Sequence, residues 1–303
     1  MIVVAGEALH DLVVELDGAR VSLHPGGGPF NAARTVGRLG GRVAFLGRLS
    51  DDELGRRLRA RLEEDGVLLE TAIRTSQPTT LALAELAGRN AVYRFYTTGT
   101  SAAGLTPDDA LDALPEETRA LHVGTLGLVL EPTAEAVEAL VGKVADDVVV
   151  LVDPNCRPAA IPDPARYRER LDRILGRADV VKASEDDLAW LAPDSDSVEA
   201  SRALLERGPR VVLVTRGPRD ALVITGDDVE RVASPDVDVV DTIGAGDAFS
   251  GAFLGWWQRE ELDRDALGRA EALVAATSFA CRVAAQTCER AGAEPPTAAE
   301  VGW

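Results

Sequence analysis

The run VVVLVD, Val148 to Asp153, is apolar and β-branched until its closing acid, and it continues into PNCRP, Pro154 to Pro158. It has no apolar–polar alternation, so neither face of the strand it forms meets water. A strand buried on both faces needs helices on both sides, which a parallel sheet in an α/β protein supplies. The same kind of run recurs at Ile2–Gly6, Val43–Gly47, Ala120–Gly124, Asp179–Ala183 and Val211–Thr215. Amphipathic helical patterns separate several of them, at Asp52–Asp65, Pro132–Ala145, Ala165–Gly176 and Ser197–Arg207. The expected fold is α/β: a three-layer αβα arrangement around a central, mostly parallel sheet with right-handed crossovers.

Two segments break this rhythm. Asp11–Leu23 has a DG turn between two strand-like runs, and Thr79–Gly99 has AGRN between two more. Both are hairpin signals without a crossover helix. Together they predict a small antiparallel β lid, formed by about residues 11–24 and 77–100, able to cover a pocket or pair with a second subunit. An edge extension without function is the alternative. From about Thr242 the pattern is mostly helical, with a long helix ending near Gly292. No repeat or linker interrupts residues 1–303, so one domain plus lid is expected.

The composition narrows the function. The chain has 303 residues, 46% hydrophobic and 27% charged, with a formal net charge of −18. That charge argues against nucleic acid, whose phosphates are neutralised by clustered Lys and Arg. Three cysteines without a CxxC, and three scattered histidines, make neither a disulfide framework nor a zinc site. The opening MIVVAGEALHDLVVEL carries no secretory signal, and no apolar stretch is long enough to span a membrane, so the expected location is the cytoplasm.

Two glycine clusters carry the chemistry. DTIGAGDAFSGAF, Asp241 to Phe253, places Gly244, Ala245 and Gly246 at a helix start, where unpaired amides and the positive helix end attract an anion. Asp247 follows directly. It fits two roles: an acid in a first helical turn, or a base that takes an alcohol's proton while the amides hold a phosphoryl group. The stretch lacks the Gly-Lys-Ser/Thr of a Walker loop and lies too late in the chain for a dinucleotide fingerprint. The second cluster, HPGGGPFNAARTVGRLG (His24–Gly40), sets three glycines and Pro29 before a helix starting at Phe30 or Asn31. Asn31 is either its cap or a partner for a hydroxyl, and Asp11 either a strand-end acid or an acceptor of sugar hydroxyls.

GGGPFNAARTVGRLG and DTIGAGDAFSGAF, in this order, resemble the two signature regions of the ribokinase-like (PfkB) carbohydrate kinases. The likeness covers nearly the whole chain, through GEALHDL, RLSDDELGRRLRARLEEDGV, VVLVTRGPRDALV and CERAGAEPP. It implies Asp247 as catalytic base, Gly244, Ala245 and Gly246 as anion hole, and Asp11, Gly27 and Asn31 as sugar contacts. Lys182, Thr215, Gly217 and Cys281 would then lie on the ATP side. Asp241, the Ile243 backbone and the Gly292 region would mark a monovalent-cation site for K+. Mg-ATP is the implied donor, and the lid the implied homodimer interface.

Three departures from the family pattern stand out. SEDD, Ser184 to Asp187, replaces an Asn-x-x-Glu that organises Mg2+ through water, with Asp187 as the matching acid. Asp220 stands where a second glycine is usual, and Cys281 where an Asn or His is frequent. The D-x-N-x-R run Asp153–Arg157 resembles fructokinases and 2-keto-3-deoxygluconate kinases, and GEALHDL with GGGPFN resembles fructokinases. A sugar acid would need a guanidinium fork, for which Arg94 and Arg157 are the candidates. The expected activity is ATP-dependent phosphorylation of a sugar primary hydroxyl, with fructose first, then 2-keto-3-deoxygluconate, ribose or a nucleoside. A non-catalytic sugar- or nucleotide-binding protein is the reading from another class, and Asp247 speaks against it.

Overall fold

The structure is a computed structural model that describes residues 1–15, 20–87, 90–226 and 228–303. β1 (Ile2–Ala5) opens the main sheet, and the chain leaves it for β2 (Leu9–Glu15) and β3 (Arg20–Gly26). It returns through α1 (Gly28–Arg38) to β4 (Val43–Leu46). β5 (Arg48–Ser50), α2 (Glu53–Glu64) and β6 (Ile73–Thr75) form a side excursion in which β5 and β6 pair parallel. An antiparallel pair, β7 (Leu81–Ala87) and β8 (Asn90–Tyr96), follows, and α3 (Pro107–Ala113) leads to β9 (Ala120–Gly124). The chain then runs α4 (Thr133–Lys143), β10 (Val149–Asp153), α5 (Pro164–Leu175), β11 (Val180–Ser184), α6 (Glu185–Leu191), α7 (Ser197–Leu205) and β12 (Val211–Thr215). β13 (Asp220–Thr225) and β14 (Asp228–Ala233) turn back antiparallel before α8 (Ala245–Arg259) and α9 (Ala270–Cys288).

The main sheet has the order β14-β13-β12-β11-β10-β9-β1-β4, parallel from β12 through β4. Every residue of β1, β4, β9 and β10 is buried, which is why their sequences show no alternation. Alternate side chains feed two cores. Ile2 and Val4 join Phe30, Leu62, Phe249 and Phe253 from α1, α2 and α8. Val3 and Ala5 join Val137, Leu140, Leu171 and Leu204 from α4, α5 and α7. Helices thus cover both faces, and the three-layer expectation holds.

β2–β3 and β7–β8 form the second sheet, ordered β3-β2-β7-β8. Each pair is antiparallel, and the two are joined by a parallel pairing of β2 with β7. The DG turn at Asp17–Gly18 and the AGRN tip at Gly88–Arg89 lie outside the described residues. The long separation in sequence is bridged by backbone pairing, with Asp11 beside Ala82 and Val13 beside Ala84.

One topological feature places the site. Chain order takes β1 to β4 on one side, yet β9 pairs with its other side. Open α/β sheets bind ligands at such a switch point, beyond the carboxyl ends of the strands. The residues that follow β1, β9 and β10 are Glu7, Thr125 and Asn155, and all three border one cavity under the second sheet.

Candidate active site

Two helix N-termini meet at the centre. α1 begins at Gly28, earlier than the sequence indicates, and its N-cap is Gly27 at φ 107°. Asn31 is therefore inside the first turn, not the cap. Its Nδ2 donates to Asp247 Oδ2 at 2.9 Å, and its Oδ1 is buried without a protein partner. α8 begins after Gly244, a left-handed N-cap at φ 78°, and no side chain caps it. Asp247 thus receives Asn31 from within the first turn of α8, and neither residue is an N-cap. The first-turn amides of α8 have no intrahelical acceptor and carry the positive end of a 15-residue helix.

A cleft of 400 Å³ lies between this centre and the lid sheet, bordered by Asp11, Gly27, Asn31, Arg157 and Asp247. Four of the five residues proposed for the sugar are brought together here, and the fifth is not. Asp11 and Ala82 pair with one another, and Ala82 pairs with Phe95, so these side chains share the inner face. Arg94 is one residue along and pairs with Leu83, so the pleat turns it to the exposed outer face. Arg157 sits on the exposed rim, beyond Asn155, whose backbone has φ 38°.

The sequence reading misses Glu7, a buried acid directly after β1. Its Oε1 accepts from Gly28 N at 3.2 Å and from the Thr125 hydroxyl, and its Oε2 from Gly127 N at 2.9 Å. It ties the glycine loop to the segment after β9, and so shapes the cleft floor. Burial pushes it up to about 7, against those three hydrogen bonds. Its signal in the sequence is an acid immediately past the first strand, at the ligand-binding edge. Burial also pushes Asp11 up to about 6, helped by the charge of Asp247 and opposed by Arg157. Asp247 is raised by burial too, and is held down by Asn31, Lys182 and Arg157.

Beneath the anion hole lies a buried ion pair, with Lys182 Nζ at 2.9 Å from Asp153 Oδ2. A side chain on Gly246 would start 2.7 Å from that ammonium, so the charge is pressed against the start of α8. Burial lowers Lys182, but Asp153, Asp187 and Asp247 outweigh it and hold it charged; burial lifts Asp153 to about 6. Lys182 borders neither cleft, so any influence it has on a bound anion is through charge and not through contact with the cleft.

Asp187 is engaged by protein donors. Its Oδ1 accepts from Cys156 N at 2.6 Å, and its Oδ2 from Ser184 N at 2.8 Å and Ser184 Oγ at 2.6 Å. The SEDD segment is the capping box of α6, and this buried carboxylate is turned to protein donors, away from both clefts. Among the described residues, no group of three or more His, Cys, Asp or Glu side chains is set to hold a metal ion.

A second cleft, 440 Å³ and largely apolar, opens on the other side of α8. Thr215, Gly217 and Cys281 border it, as expected, with Phe249 and Ala285. Gly217 takes φ 60° in the turn after β12. Asp220, the replaced glycine, pairs with Arg216 Nε at 2.5 Å and pins that turn. The slot suits a planar base between apolar walls. Thr242 and Gly246 border both clefts, so the two meet at the anion hole. Asp241, Ile243 and Gly292 also come together, but through N–H groups: Ile243 N at 3.1 Å and Gly292 N at 2.9 Å both donate to Asp241. These contacts clamp a loop.

With two clefts joined by a helix N-terminus and a buried acid on one side of it, the arrangement is that of a phosphotransferase with an alcohol acceptor. The chain belongs to the pfkB family carbohydrate kinases, whose profile matches residues 1–299. It is 35% identical to fructokinase-1 of Zea mays, over 99% of this chain and 96% of that one. The structure superposes on an ATP-bound fructokinase of Xylella fastidiosa with a TM-score of 0.89 and 28% identity, covering 99% of this chain and 96% of the other. It is similarly close to a fructokinase double mutant of Vibrio cholerae O395 bound to fructose, ADP and potassium ion, with a TM-score of 0.87, 26% identity, and 99% and 96% coverage.

Two outcomes are expected. Asp247→Asn keeps the shape and the Asn31 contact but removes the base, so kcat should fall by roughly 10²–10⁴ with sugar affinity retained. Steady-state turnover and calorimetric sugar binding on the purified variant check this. The second concerns pH. Burial raises both Asp11 and Asp247, and the Asp247 charge raises Asp11 further. Their acceptor and base roles require the ionised forms, so kcat/KM should decline as pH falls through about 6, the value to which Asp11 is lifted. A profile flat from pH 8 to 5 would contradict the assignment.

Proposed function

We propose that this protein is an ATP-dependent fructokinase, with residues 1–303 acting as one catalytic unit. The observation that carries it is the N-terminus of α8 set between the two clefts, with Asp247 on the acceptor side. ATP, with Mg2+ on its phosphates, occupies the apolar slot, and its terminal phosphoryl group lies over Gly244–Gly246. The sugar lies under the lid sheet, its hydroxyl facing Asp247, with Asp11 and Asn31 as hydroxyl partners. Mg2+ would offset phosphate charge alongside Lys182 and the α8 amides. A K+ ion beside Asp241 is part of the proposal, supported by the potassium in the Vibrio cholerae relative.

The cleft's charge favours a neutral sugar. Glu7, Asp11 and Asp247 border it, while Arg157 is the one guanidinium on its rim among the described residues. A sugar acid would bring a further carboxylate against those acids, and Arg94 stands on the wrong face to meet it. A coupled ADP-release assay over fructose, 2-keto-3-deoxygluconate and ribose, with Mg2+ or K+ omitted in parallel, should give the highest kcat/KM for fructose. A preference for 2-keto-3-deoxygluconate would overturn the fructose assignment.

The outer face of the lid sheet supports a homodimer. Leu12, Val21, Leu23, Leu83 and Tyr96 share it by register, and Val21 and Tyr96 are 58% and 55% exposed. A second copy would cover this apolar patch. Sedimentation should show a dimer that Val21→Glu with Tyr96→Glu converts to monomer; a wild-type monomer would exclude it.

A further inference from the structure

Arg34 lies one turn beyond Asn31 on α1, and none of the roles above uses it. Its side chain is 0% exposed. A buried guanidinium is tolerated only when its donors are paired. Nε donates to Asp65 Oδ2 at 2.6 Å, Nη1 to the Ala293 carbonyl at 2.8 Å, and Nη2 to both Glu294 oxygens at 3.1 and 3.0 Å. Asp65 ends α2, and Arg38 holds its other oxygen at 2.9 Å while donating to the Pro295 carbonyl at 2.6 Å. One guanidinium therefore joins α1, the end of α2 and the loop Gly292–Pro295.

That loop is the back wall of the anion hole. A side chain on Gly244 would start 2.4 Å from Ala293 Cβ, and Gly292 N is the donor to Asp241. Gly244 in turn launches α8, whose first amides and Asp247 do the chemistry. α1 already carries Asn31, the partner of Asp247. Arg34 thus fixes, from the same helix, the second wall against which the anion hole is built. A purely structural link here would not need charge, since well-packed apolar residues replace buried ion pairs at little or no loss of stability. The planar fork adds direction: it sets the loop's distance and its rotation together.

We propose that Arg34, held by Asp65 and gripping Ala293 and Glu294, is a positioning residue for phosphoryl transfer that keeps the anion hole in register with Asn31 and Asp247. The proposal rests on the kinase reading. Its test compares wild type with Arg34→Met, Arg34→Lys and Glu294→Gln in steady-state turnover on fructose, with melting temperature and amide hydrogen exchange of residues 241–247 measured without ligands. Arg34→Met should lose about tenfold or more in kcat, equal to about 1.4 kcal/mol of barrier, with the fructose KM little changed. Arg34→Lys should recover part of it. Glu294 is 35% exposed, so Glu294→Gln should fold, lose kcat in the same direction, and exchange faster over 241–247. A folded Arg34→Met or Glu294→Gln enzyme with lowered melting temperature but wild-type kcat would overturn the proposal. If Arg34→Met does not fold, Glu294→Gln decides alone. If wild type turns over none of the sugars, the kinase reading fails, and unchanged exchange in Glu294→Gln still overturns the role of Arg34.

Discussion

The hydrogen bond from Asn31 to Asp247 spans 216 residues of sequence and joins the N-termini of α1 and α8. α1 supplies its glycine loop and the Asn31 amide, and α8 its first-turn amides and Asp247. Both helices pack on the same face of the sheet, through Phe30, Ala33, Phe249 and Phe253. The contact is therefore set by core packing and only then tuned by hydrogen bonding. Without that core, neither the base nor the hydroxyl partner has a fixed position, and proximity gains depend on sub-ångström placement.

Charge makes this arrangement expensive. Glu7, Asp11, Asp153 and Asp247 are all raised by burial, with Lys182 and Arg157 as the cations nearest to them. Acids whose folded pKa exceeds the unfolded value stabilise the fold below the unfolded value, and that gain is lost as pH rises through the raised one. For Asp11 and Asp153 the window runs from about 4 to about 6, and at neutral pH the empty site is a cost to stability. Ligands relieve it unequally. In the proposed complex the sugar hydroxyls would donate to the acids, and the phosphates of ATP would face the α8 amides, with Lys182 acting through charge from beneath Gly246. The two clefts meet at Thr242 and Gly246.

Much of this was legible in the chain because buried parallel strands lack alternation and because the two glycine clusters mark helix starts. Asn31 and Asp247 border one cleft, and Thr215 and Cys281 the other. The rest depended on information the sequence carries only through space. Arg94 is one residue from the inner face, and its side of the pleat is fixed by the register of β2, β7 and β8. Glu7 and Thr125 become partners only because β1 and β9 are neighbours at the switch point. β14 escapes a strand search because it is a largely exposed edge strand. SEDD is a local pattern that two physical roles share, since Ser-x-x-Asp is also a capping box. The capping box is present in the structure.

The glycines of the anion hole show a further constraint that a ligand-only view omits. A phosphate needs small residues so that it can approach the backbone, yet the space behind Gly244 and Gly246 is already filled. Ala293 stands against the one and Lys182 against the other. A methyl group at Gly244 would push the C-terminal loop off Asp241, and the left-handed φ of 78° disfavours it independently. At Gly246 it would displace the ammonium that Asp153 holds. The protein is packed to the underside of this turn, so its amides have no room to relax when negative charge arrives. Rigidity of that kind is what makes a dipole useful in catalysis: donors fixed in advance need no reorganisation at the moment charge shifts.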